Sequence, residues 1–398
     1  MHIYIITDEP FPNGMAATRR ITCYAKALAM QGDEVEVLIY HRTEVYGKPP
    51  RNTEGEGSLG TFSYRYIGGT PLRGSNVLIR RWNDYMDKRR TIEYLHQHLK
   101  KGDVMLVYCR EDSDLTPKLR PLAIEHKCIM VIELCEYPYG TREDTPEMEK
   151  KRERYINGTF CKFDGAICIS EALLKLADRW GGLDKFNIKV PILVEEPRDT
   201  VIHIHPRPYI FHGGTMYERK DAIVSTMRAF ADACQKLDRQ IDFILAGPPS
   251  PHRDELDAII RDAGIEDNVS FLPQMTQDEI GAYQRGAFLA ILNKHDNPQN
   301  QYGFSTKLGE VLMSETAVIT TTVGEANNWL KDGKSAYIVE PGHPELISAK
   351  IVEAFRDKEQ RHKIARRGKE IAKKYFGLEH QGRRLHKYFV ELCDLFCH

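Results

Sequence analysis

The sequence predicts an α/β protein with two doubly wound domains, each built on a mostly parallel sheet. The first observation is that short apolar or β-branched runs alternate with longer segments of helical period, which is the pattern of parallel strands joined by crossover helices. The second is length. At 398 residues the chain exceeds what one hydrophobic core usually organises, so two domains of roughly 200 residues each are expected.

The predicted strands follow the short apolar runs. In the first half they cover 2–7, 34–40, 104–109, 128–133 and 165–169. In the second half they cover 209–213, 241–246, 268–272, 287–292, 316–321 and 336–339. Helices are predicted between them, for example over 16–31, where apolar side chains share one face and Gly32 ends the helix. A last helix over 380–396 has one apolar side.

The domain boundary is predicted in 194–208, where prolines and charges interrupt the periodicity. The prediction is a Rossmann-like N-terminal domain over 1–195, a Rossmann-like C-terminal domain over 208–378, and a C-terminal helix over 379–398 that packs back on the N-terminal domain. The two domains are expected to face each other across a cleft. Ligands of doubly wound sheets bind outside the carboxyl ends of the strands, so substrates are expected there.

Composition excludes several classes of protein. Lysine and arginine number 56 against 57 acidic residues, and a net charge of -1 argues against a bulk nucleic-acid binder. The nine cysteines contain no Cys-x-x-Cys pair, which argues against a disulfide framework and a zinc site. The N-terminus lacks a secretory leader, and no apolar run is long enough for a membrane span. We expect a cytoplasmic protein, either free or peripheral on the inner face of the membrane.

Two segments of the second half follow predicted strands and suit a diphosphate. HGGTMYERK, at 212–220, supplies a glycine pair and then a cation, Arg219 or Lys220. YGFSTKLGE, at 302–310, supplies a glycine turn and the start of a helix. A helix N-terminus with unpaired N–H groups, together with a cation, favours a bound diphosphate.

Glu310 closes the second of these segments. It lies about two helical turns beyond the glycine, where it would accept hydrogen bonds from a ribose diol rather than oppose the phosphates. Taken without the neighbouring segments, Glu310 is better interpreted as a surface glutamate of a helix. The order of the two segments in one half-chain favours the nucleotide.

Over nearly its whole length, the sequence resembles the retaining GT-B glycosyltransferases of glycosyltransferase family 4. The segments that carry the resemblance, in chain order, are DEPFPNGMAATRRI, FDGAICISEALL, HGGTMYERKDAI, FILAGPP, NVSFLPQM, YGFSTKLGEVLMSETAVITTTVGE and LKDGKSAYIVEPGHPE. The resemblance implies a GT-B fold and the transfer of a sugar from a nucleoside diphosphate sugar to a glycan or lipid-linked acceptor. It also implies that the N-terminal domain over 1–195 is the acceptor-side domain and that the C-terminal domain over 208–378 binds the nucleotide sugar.

The resemblance also implies roles for individual residues. Glu310 corresponds to the glutamate that binds the nucleotide ribose, and Lys220 to the lysine that holds the diphosphate. Gly14 and Met15 correspond to the loop that closes over the donor phosphates. The stretch that cradles the distal phosphate and the transferred sugar corresponds to Gly303, Phe304, Ser305 and Thr306.

Three positions depart from the family pattern. Tyr302 stands where the family commonly has a glutamate against a sugar hydroxyl. Gly214 stands where the family often has an arginine, so Arg219 is expected to substitute for it. Cys135 stands where the family has a histidine, which leaves the two carboxylates of IELCEYP, Glu133 and Glu136, as the groups expected to face the cleft.

These carboxylates allow two interpretations. A pair of them could act as general acid and base, as in glycosidases. Spaced by three residues at a strand end, however, they point to different faces, so one is expected only to cap or pair. Glu136 is the preferred contact for the donor sugar or the acceptor, and Glu133 is a further substrate-binding candidate.

No metal or cofactor is expected. Asp112 and Asp114 form an Asp-x-Asp pair of the kind that can hold a divalent ion, but with Ser113 they follow a predicted strand and are interpreted as a helix cap. A sugar nucleotide is already activated, so the enzyme has to stabilise the departing diphosphate and the oxocarbenium-like sugar. Retention by front-side attack follows from the resemblance alone.

The segment 73–90, RGSNVLIRRWNDYMDKRR, interleaves basic and apolar residues. It is interpreted either as a crossover helix with a solvated face or as a membrane-surface patch that reaches a lipid-linked acceptor in surface polysaccharide biosynthesis. Two rival functions stay open besides the transferase. One is a hydrolysing nucleotide-sugar epimerase of the same fold, and the other is a non-catalytic sugar-nucleotide or glycan binding protein.

Overall fold

The structure is a computed structural model that describes residues 1–108, 114–140, 145–181, 186–197 and 201–397. The chain divides into two compact units. The first comprises Met1–Leu193 together with Leu378–His398, and the second comprises Val194–Gly377. Each unit is built on a parallel sheet with helices packed on it, so the predicted α/β fold class is confirmed.

The first unit is organised around one sheet. Its strands are β1 (His2–Thr7), β2 (Glu34–Ile39), β3 (Glu56–Ser58), β4 (Ser63–Tyr66), β5 (Val104–Tyr108), β6 (Ile129–Leu134), β7 (Gly165–Cys168) and β8 (Phe186–Lys189). Their order in the sheet is β3-β4-β2-β1-β5-β6-β7-β8, and every pairing is parallel except that of β3 with β4. The helices before the boundary are α1 (Ala16–Ala29), α2 (Val77–His98), α3 (Thr116–His126), α4 (Pro146–Gly158) and α5 (Glu171–Gly181).

The central strands of this sheet are those that the sequence predicts. β1, β2, β5, β6 and β7 are largely apolar and almost entirely buried, as is typical of strands between two layers of helices. Sequence reasoning missed β3, β4 and β8. Their sequences, EGS, SYRY and FNIK, lack a continuous apolar run because they lie towards the edges of the sheet, where burial is incomplete.

The second unit repeats the same architecture. Its strands are β9 (Tyr209–Gly213), β10 (Asp242–Ala246), β11 (Val269–Leu272), β12 (Leu289–Leu292), β13 (Val318–Thr321) and β14 (Tyr337–Val339). They form a parallel sheet in the order β11-β10-β9-β12-β13-β14. The helices are α6 (Glu218–Asp221), α7 (Ile223–Lys236), α8 (Arg253–Ala263), α9 (Gln277–Gly286), α10 (Pro298–Tyr302), α11 (Thr306–Met313), α12 (Pro344–Arg356) and α13 (Lys358–Ile371).

The last helix, α14 (Leu378–Phe396), belongs to the first unit. Its apolar stripe, with Leu385 and Phe389 fully buried, joins the core of that unit. A Cβ on Gly382 would come within 2.2 Å of the carbonyl oxygen of Ala27, so only glycine permits α14 to pack this closely against α1. The side chain of His386 also contacts Asp33, with Nδ1 and Oδ2 2.9 Å apart.

Candidate functional site

The first part of the candidate site is the turn after β9. Gly214 has φ +118°, a conformation that favours glycine, and a Cβ there would come within 2.8 Å of Cε of Lys307. The chain then forms the short helix α6, which carries Arg219 and Lys220. It leaves α6 through Ala222, which has φ +45°. The turn therefore brings the 212–220 segment to the carboxyl end of the sheet.

The second part follows β12, the neighbouring strand in the sheet. Lys294 lies two residues after the strand, and Asn297 caps α10 by accepting a hydrogen bond from the backbone N–H of Asn300. α10 ends at Tyr302, and α11 begins at Thr306 with Ser305 as its N-cap. The predicted strand, turn and helix are thus present, with the additional short helix α10 between them.

Hydrogen bonds to the α6 backbone join these two parts. The side-chain amides of Asn297 and Asn300 donate to the carbonyl of Arg219 at 2.9 and 3.3 Å. Nζ of Lys294 donates to the carbonyl of Lys220 at 2.8 Å. The structure therefore brings together the two segments that the sequence singled out, although they are about ninety residues apart.

Between these segments lies a group of charges that we call the lysine cluster: Asp221, Lys294, Lys307 and the neighbouring Lys220. Oδ1 of Asp221 is 3.2 Å from Nζ of Lys294 and 3.3 Å from Nζ of Lys307. The hydroxyl of Thr215 donates to Oδ2 of Asp221 at 3.0 Å. Since the Asp221 side chain is 4% exposed, one buried carboxylate is shared by two ammonium groups.

The protonation of the cluster follows from burial and from these charges. Burial raises the pKa of Asp221, but Lys307 and Lys294 outweigh it and hold that pKa well below its usual range. Burial lowers the pKa of Lys294 to about 8, against the opposing effect of Asp221. Burial also lowers the pKa of Lys307, and the nearby charge of Lys220 lowers it further. An anion placed here would relieve this crowding of positive charge.

Lys307 is the least well satisfied of the buried ammonium groups in the cluster. Its contacts to Asp221, the Thr215 carbonyl and His212 measure 3.3, 3.5 and 3.5 Å. These exceed the usual N–H···O range of about 2.7–3.2 Å. Lys307 can therefore turn towards a bound anion without breaking a short hydrogen bond, whereas the 2.8 Å bond from Lys294 fixes that side chain to α6.

His212 contributes to the cluster as a neutral ring. Burial, followed by the charge of Lys307, lowers its pKa to about 4. Its Nε2 lies 2.9 Å from the carbonyl oxygen of Thr215, so Nε2–H donates to that carbonyl. The ring therefore fixes the glycine turn and adds no positive charge at neutral pH.

The remaining predicted residues of this unit lie around α11. Glu310 is half-buried on α11, and its charge raises the pKa of Lys307, which places the carboxylate within electrostatic reach of the cluster. Phe304 is buried, with its ring edge-to-face on Phe376 at 5.7 Å. The half-buried residues of the stretch are Tyr302, Gly303, Ser305 and Thr306. The backbone N–H groups of the first turn of α11 point out of the N-terminal end of the helix, which is the arrangement that binds anions.

The predicted residues of the first unit lie after its own strands. Gly14 and Met15 precede α1, with Met15 exposed as its N-cap. A Cβ on Gly14 would come within 1.9 Å of Oγ1 of Thr18 and 2.9 Å of the Pro10 carbonyl, so glycine is required by this tight turn. Glu136 lies two residues beyond β6 and is exposed. Gly14, Met15 and Glu136 are therefore accessible to a ligand.

Glu133 requires a correction. It was expected to bind substrate, but its side chain is 0% exposed and is paired inside the core of the first unit. Oε1 accepts from Nε of Arg20 at 2.6 Å, and Oε2 accepts from the hydroxyl of Tyr24 at 2.8 Å. Burial raises the pKa of Glu133, and Arg20 opposes that rise. Of the two carboxylates, Glu133 is the one that only pairs, because it lies within β6 while Glu136 lies beyond it.

The Asp-x-Asp segment is only partly described. Asp112 and Ser113 lie outside the described residues. Asp114 forms an ion pair with Lys88, and Leu115, the N-cap residue of α3, makes no side-chain cap, so the interpretation of this segment as a helix cap stays a prediction. Within the described part of the chain, one group could supply three metal ligands, the largely exposed His96, Glu125 and His126 of α2 and α3.

Sequence reasoning missed Asp221, Lys294 and Lys307 as members of the site. Lys307 lies inside the YGFSTKLGE segment, and Lys294 lies two residues after the apolar strand LAIL, so both had a positional signal. What the sequence lacks is the register that places both ammonium groups against the same carboxylate.

Comparison with known proteins gives the class. Superposition on sucrose-phosphate synthase from Thermosynechococcus elongatus gives a TM-score of 0.73 at 14% identity, covering 99% of each chain. Anabaena HepE, solved in complex with UDP, gives 0.69 at 13% identity over 98% of this chain and 100% of that one. Trehalose-6-phosphate synthase OtsA gives 0.69 at 12% identity over 98% and 99%. The fold is therefore GT-B.

The second unit gives the more specific match. Residues 199–371 match the family model for glycosyl transferases group 1. An uncharacterised glycosyltransferase of Methanocaldococcus jannaschii is 26% identical over 127 residues, which are 32% of this chain and 34% of that protein. The chain thus matches about a third of the length of this curated relative. Together the group 1 domain and the fold support a glycosyltransferase as the class of enzyme.

Proposed function

We propose that this protein is a retaining glycosyltransferase that moves a sugar from a nucleoside diphosphate donor to a glycan or lipid-linked acceptor in surface polysaccharide biosynthesis. The lysine cluster beside the α11 N-terminus is the observation that carries this proposal. It gathers positive charge where a diphosphate would sit, with Glu310 nearby for the ribose. The HepE structure, which holds UDP, supports the same class of donor.

In the proposed reaction the bond from the sugar anomeric carbon to the diphosphate breaks, and a bond to the acceptor oxygen forms on the same face. Lys220, Lys307 and the N–H groups of α11 stabilise the charge that builds up on the departing diphosphate. The acceptor proton passes to the leaving phosphate oxygen. Glu310 holds the ribose, Arg219 contributes a second cation, and Gly14 and Met15 close over the phosphates.

Glu136 is proposed as the contact for the donor sugar or the acceptor, because it is exposed beyond the carboxyl end of β6. Tyr302, Gly303, Phe304, Ser305 and Thr306 form the proposed cradle of the distal phosphate and sugar. The transfer is proposed to need no metal, since the lysines supply the positive charge, so activity should survive a chelator.

The proposal is tested in two steps. A thermal-shift screen over nucleoside diphosphates and their sugars identifies the donor, because a ligand at 100 times its dissociation constant adds about 2.7 kcal/mol to the stability of the folded state. NMR of the product then gives the anomeric configuration, and an inverted product contradicts retention. Donor incubated without acceptor should stay unchanged, whereas isomerisation would favour the epimerase.

The pH dependence of donor binding should show the lowered pKa of Lys294. The diphosphate binds the ammonium form, so binding raises this pKa above its free value of about 8. Affinity should be constant below that pH and weaken above it, by up to about tenfold per pH unit. Isothermal titration from pH 6.5 to 9.5, in buffers of different ionisation enthalpy, should detect proton uptake. Constant affinity over this whole range would contradict the prediction.

A peripheral membrane contact is proposed through the start of α2. Leu78 and Trp82 are 78% and 63% exposed, and arginines alternate with them. Among the helices that the structure describes, none is long and apolar enough to cross a membrane. The apolar side chains of α2 would instead enter the headgroup region while the arginines meet anionic lipids.

The double variant L78S/W82S should weaken binding to anionic vesicles at least about tenfold, since each side chain contributes about 1.5–3 kcal/mol on burial. Co-sedimentation with vesicles measures this loss. I124S, which changes another exposed apolar residue of the same unit, is the matched control. Equal sedimentation of the double variant and the wild type would contradict the membrane contact.

A further inference from the structure

A positively charged cavity lies in the first unit, at the carboxyl end of β2. Its volume is about 190 Å³, well above the about 10–15 Å³ that one water requires. It is lined by His41, Arg42, Arg73, Gly74, Val77, Arg80, Arg81, Asn83 and Asp84. These residues come from the end of β2, the loop before α2 and the first turns of α2.

Arginines outnumber carboxylates among the residues that line this cavity. Four of its lining residues are arginines, and Asp84 is the one carboxylate among the lining residues that the structure describes. His41 adds no charge of its own, because burial lowers its pKa. Asp87 lies behind the cavity and pairs with Arg42 and Arg90, so it does not compensate the other arginines.

The lining is also ordered in advance of any ligand. Arg73 donates from Nε to the carbonyl of Arg42 at 2.7 Å and from Nη2 to Nε2 of His41 at 2.6 Å. Nδ1 of His41 lies 3.1 Å from Asp84. By contrast, the Arg80 guanidinium makes a long contact of 3.4 Å, from Nη1 to the Ser75 carbonyl. Arg80 and Arg81 therefore retain donors for a ligand.

We propose that this cavity binds a phosphoryl group carried by the acceptor substrate. Guanidinium groups match phosphate oxygens in paired hydrogen bonds, and several converging on one cavity suit a phosphate or diphosphate better than a neutral sugar. The position at the carboxyl end of a parallel strand is where α/β sheets bind their ligands. Since the lysine cluster of the other unit serves the donor diphosphate, the first-unit cavity serves the other substrate.

The identification of the ligand as an acceptor substrate rests on the proposed function. Binding of a phosphoryl group to the cavity can be measured without turnover. Isothermal titration with inorganic pyrophosphate is carried out on K307M, in which the donor site is weakened. We expect one binding event, and R80Q/R81Q in the same background should weaken it at least tenfold. The matched control, R89Q/K101Q, removes two exposed charges outside the cavity and should bind as K307M does.

Two further titrations distinguish the source of the phosphoryl group. Binding of a soluble sugar phosphate, lost in R80Q/R81Q, indicates a soluble acceptor. Binding only to polyprenyl phosphate in phosphatidylcholine vesicles, again lost in R80Q/R81Q, indicates a lipid-linked acceptor. If pyrophosphate does not bind, or binds equally to R80Q/R81Q and the control, the proposal is overturned. R80K/R81K keeps the charge and should recover part of the affinity.

The experiments distinguish a failure of the phosphate site in the cavity from a failure of the proposed function. If phosphate binds in the cavity but no sugar is transferred to any phosphorylated acceptor, the transferase function is contradicted and the phosphate site in the cavity is supported. If sugar is transferred and the KM for the acceptor is unchanged in R80Q/R81Q, the phosphate site in the cavity is contradicted and the transferase function is supported.

Discussion

Replacement of Lys307 by methionine should lower kcat/KM by a factor of about 10²–10³, equivalent to about 2.7–4 kcal/mol of transition-state stabilisation. The reason is the position of this ammonium group beside the α11 N-terminus, with only long contacts to Asp221, Thr215 and His212. Charge developing on the departing diphosphate would draw it into shorter contacts. Steady-state kinetics with the donor found in the thermal-shift screen measures the effect.

The fold should tolerate K307M. Asp221 keeps Lys294 at 3.2 Å, so the variant leaves one balanced pair instead of two ammonium groups around one carboxylate. K363M, which removes an exposed lysine paired with Glu359 on α13, is the matched control and should retain full activity. Activity of K307M equal to that of the control would show that the lysine cluster only stabilises the fold.

Replacement of Arg20 by methionine should destabilise the protein by about 3–5 kcal/mol, because it leaves the carboxylate of Glu133 buried without its cation. The guanidinium also donates to the carbonyls of Val190 and Pro191, both at 2.8 Å, and those acceptors lose their partner. Urea unfolding should give a lower midpoint at an unchanged slope. A buried pair need not itself be strongly stabilising for the loss of one partner to cost this much.

The R154M variant, which changes an exposed arginine of the same unit, should leave the midpoint near that of the wild type. E133Q tests the role of the carboxylate itself. It should lower the midpoint while leaving donor affinity unchanged, since both oxygens of Glu133 are engaged by Arg20 and Tyr24. A stable E133Q protein with impaired substrate binding would contradict the structural role and restore the original interpretation.

The central strands could be predicted because their sequences need no partner to be recognised. VMLVY in β5 is apolar throughout and IMVIEL in β6 is apolar except for Glu133, as is typical of strands buried on both faces. β4, SYRY, could not be predicted in this way. Its Tyr64 and Tyr66 are buried while the residues between and before them are only partly covered, and that pattern depends on its place beside β2 near the sheet edge.

Some features of the candidate site could likewise be predicted from the sequence, and others could not. Glycine turns and a helix start are local features, so the segments around Lys220 and Glu310 could be found from the sequence. Burial of a particular carboxylate is not local. Glu133 and Glu136 are three residues apart, yet one is enclosed with Arg20 and Tyr24 and the other is exposed.

The sequence by itself determined the α/β class and the two segments that follow β9 and β12, because strand periodicity, glycine turns and helix starts are properties of neighbouring residues. Tertiary structure alone decided that Asp221, Lys294 and Lys307 form one cluster. These residues come from α6, from the end of β12 and from α11, so only the parallel pairing of β9 with β12 and the packing of α11 place their charges together. Interactions across such sequence distances depend on the fold, and no local pattern encodes them.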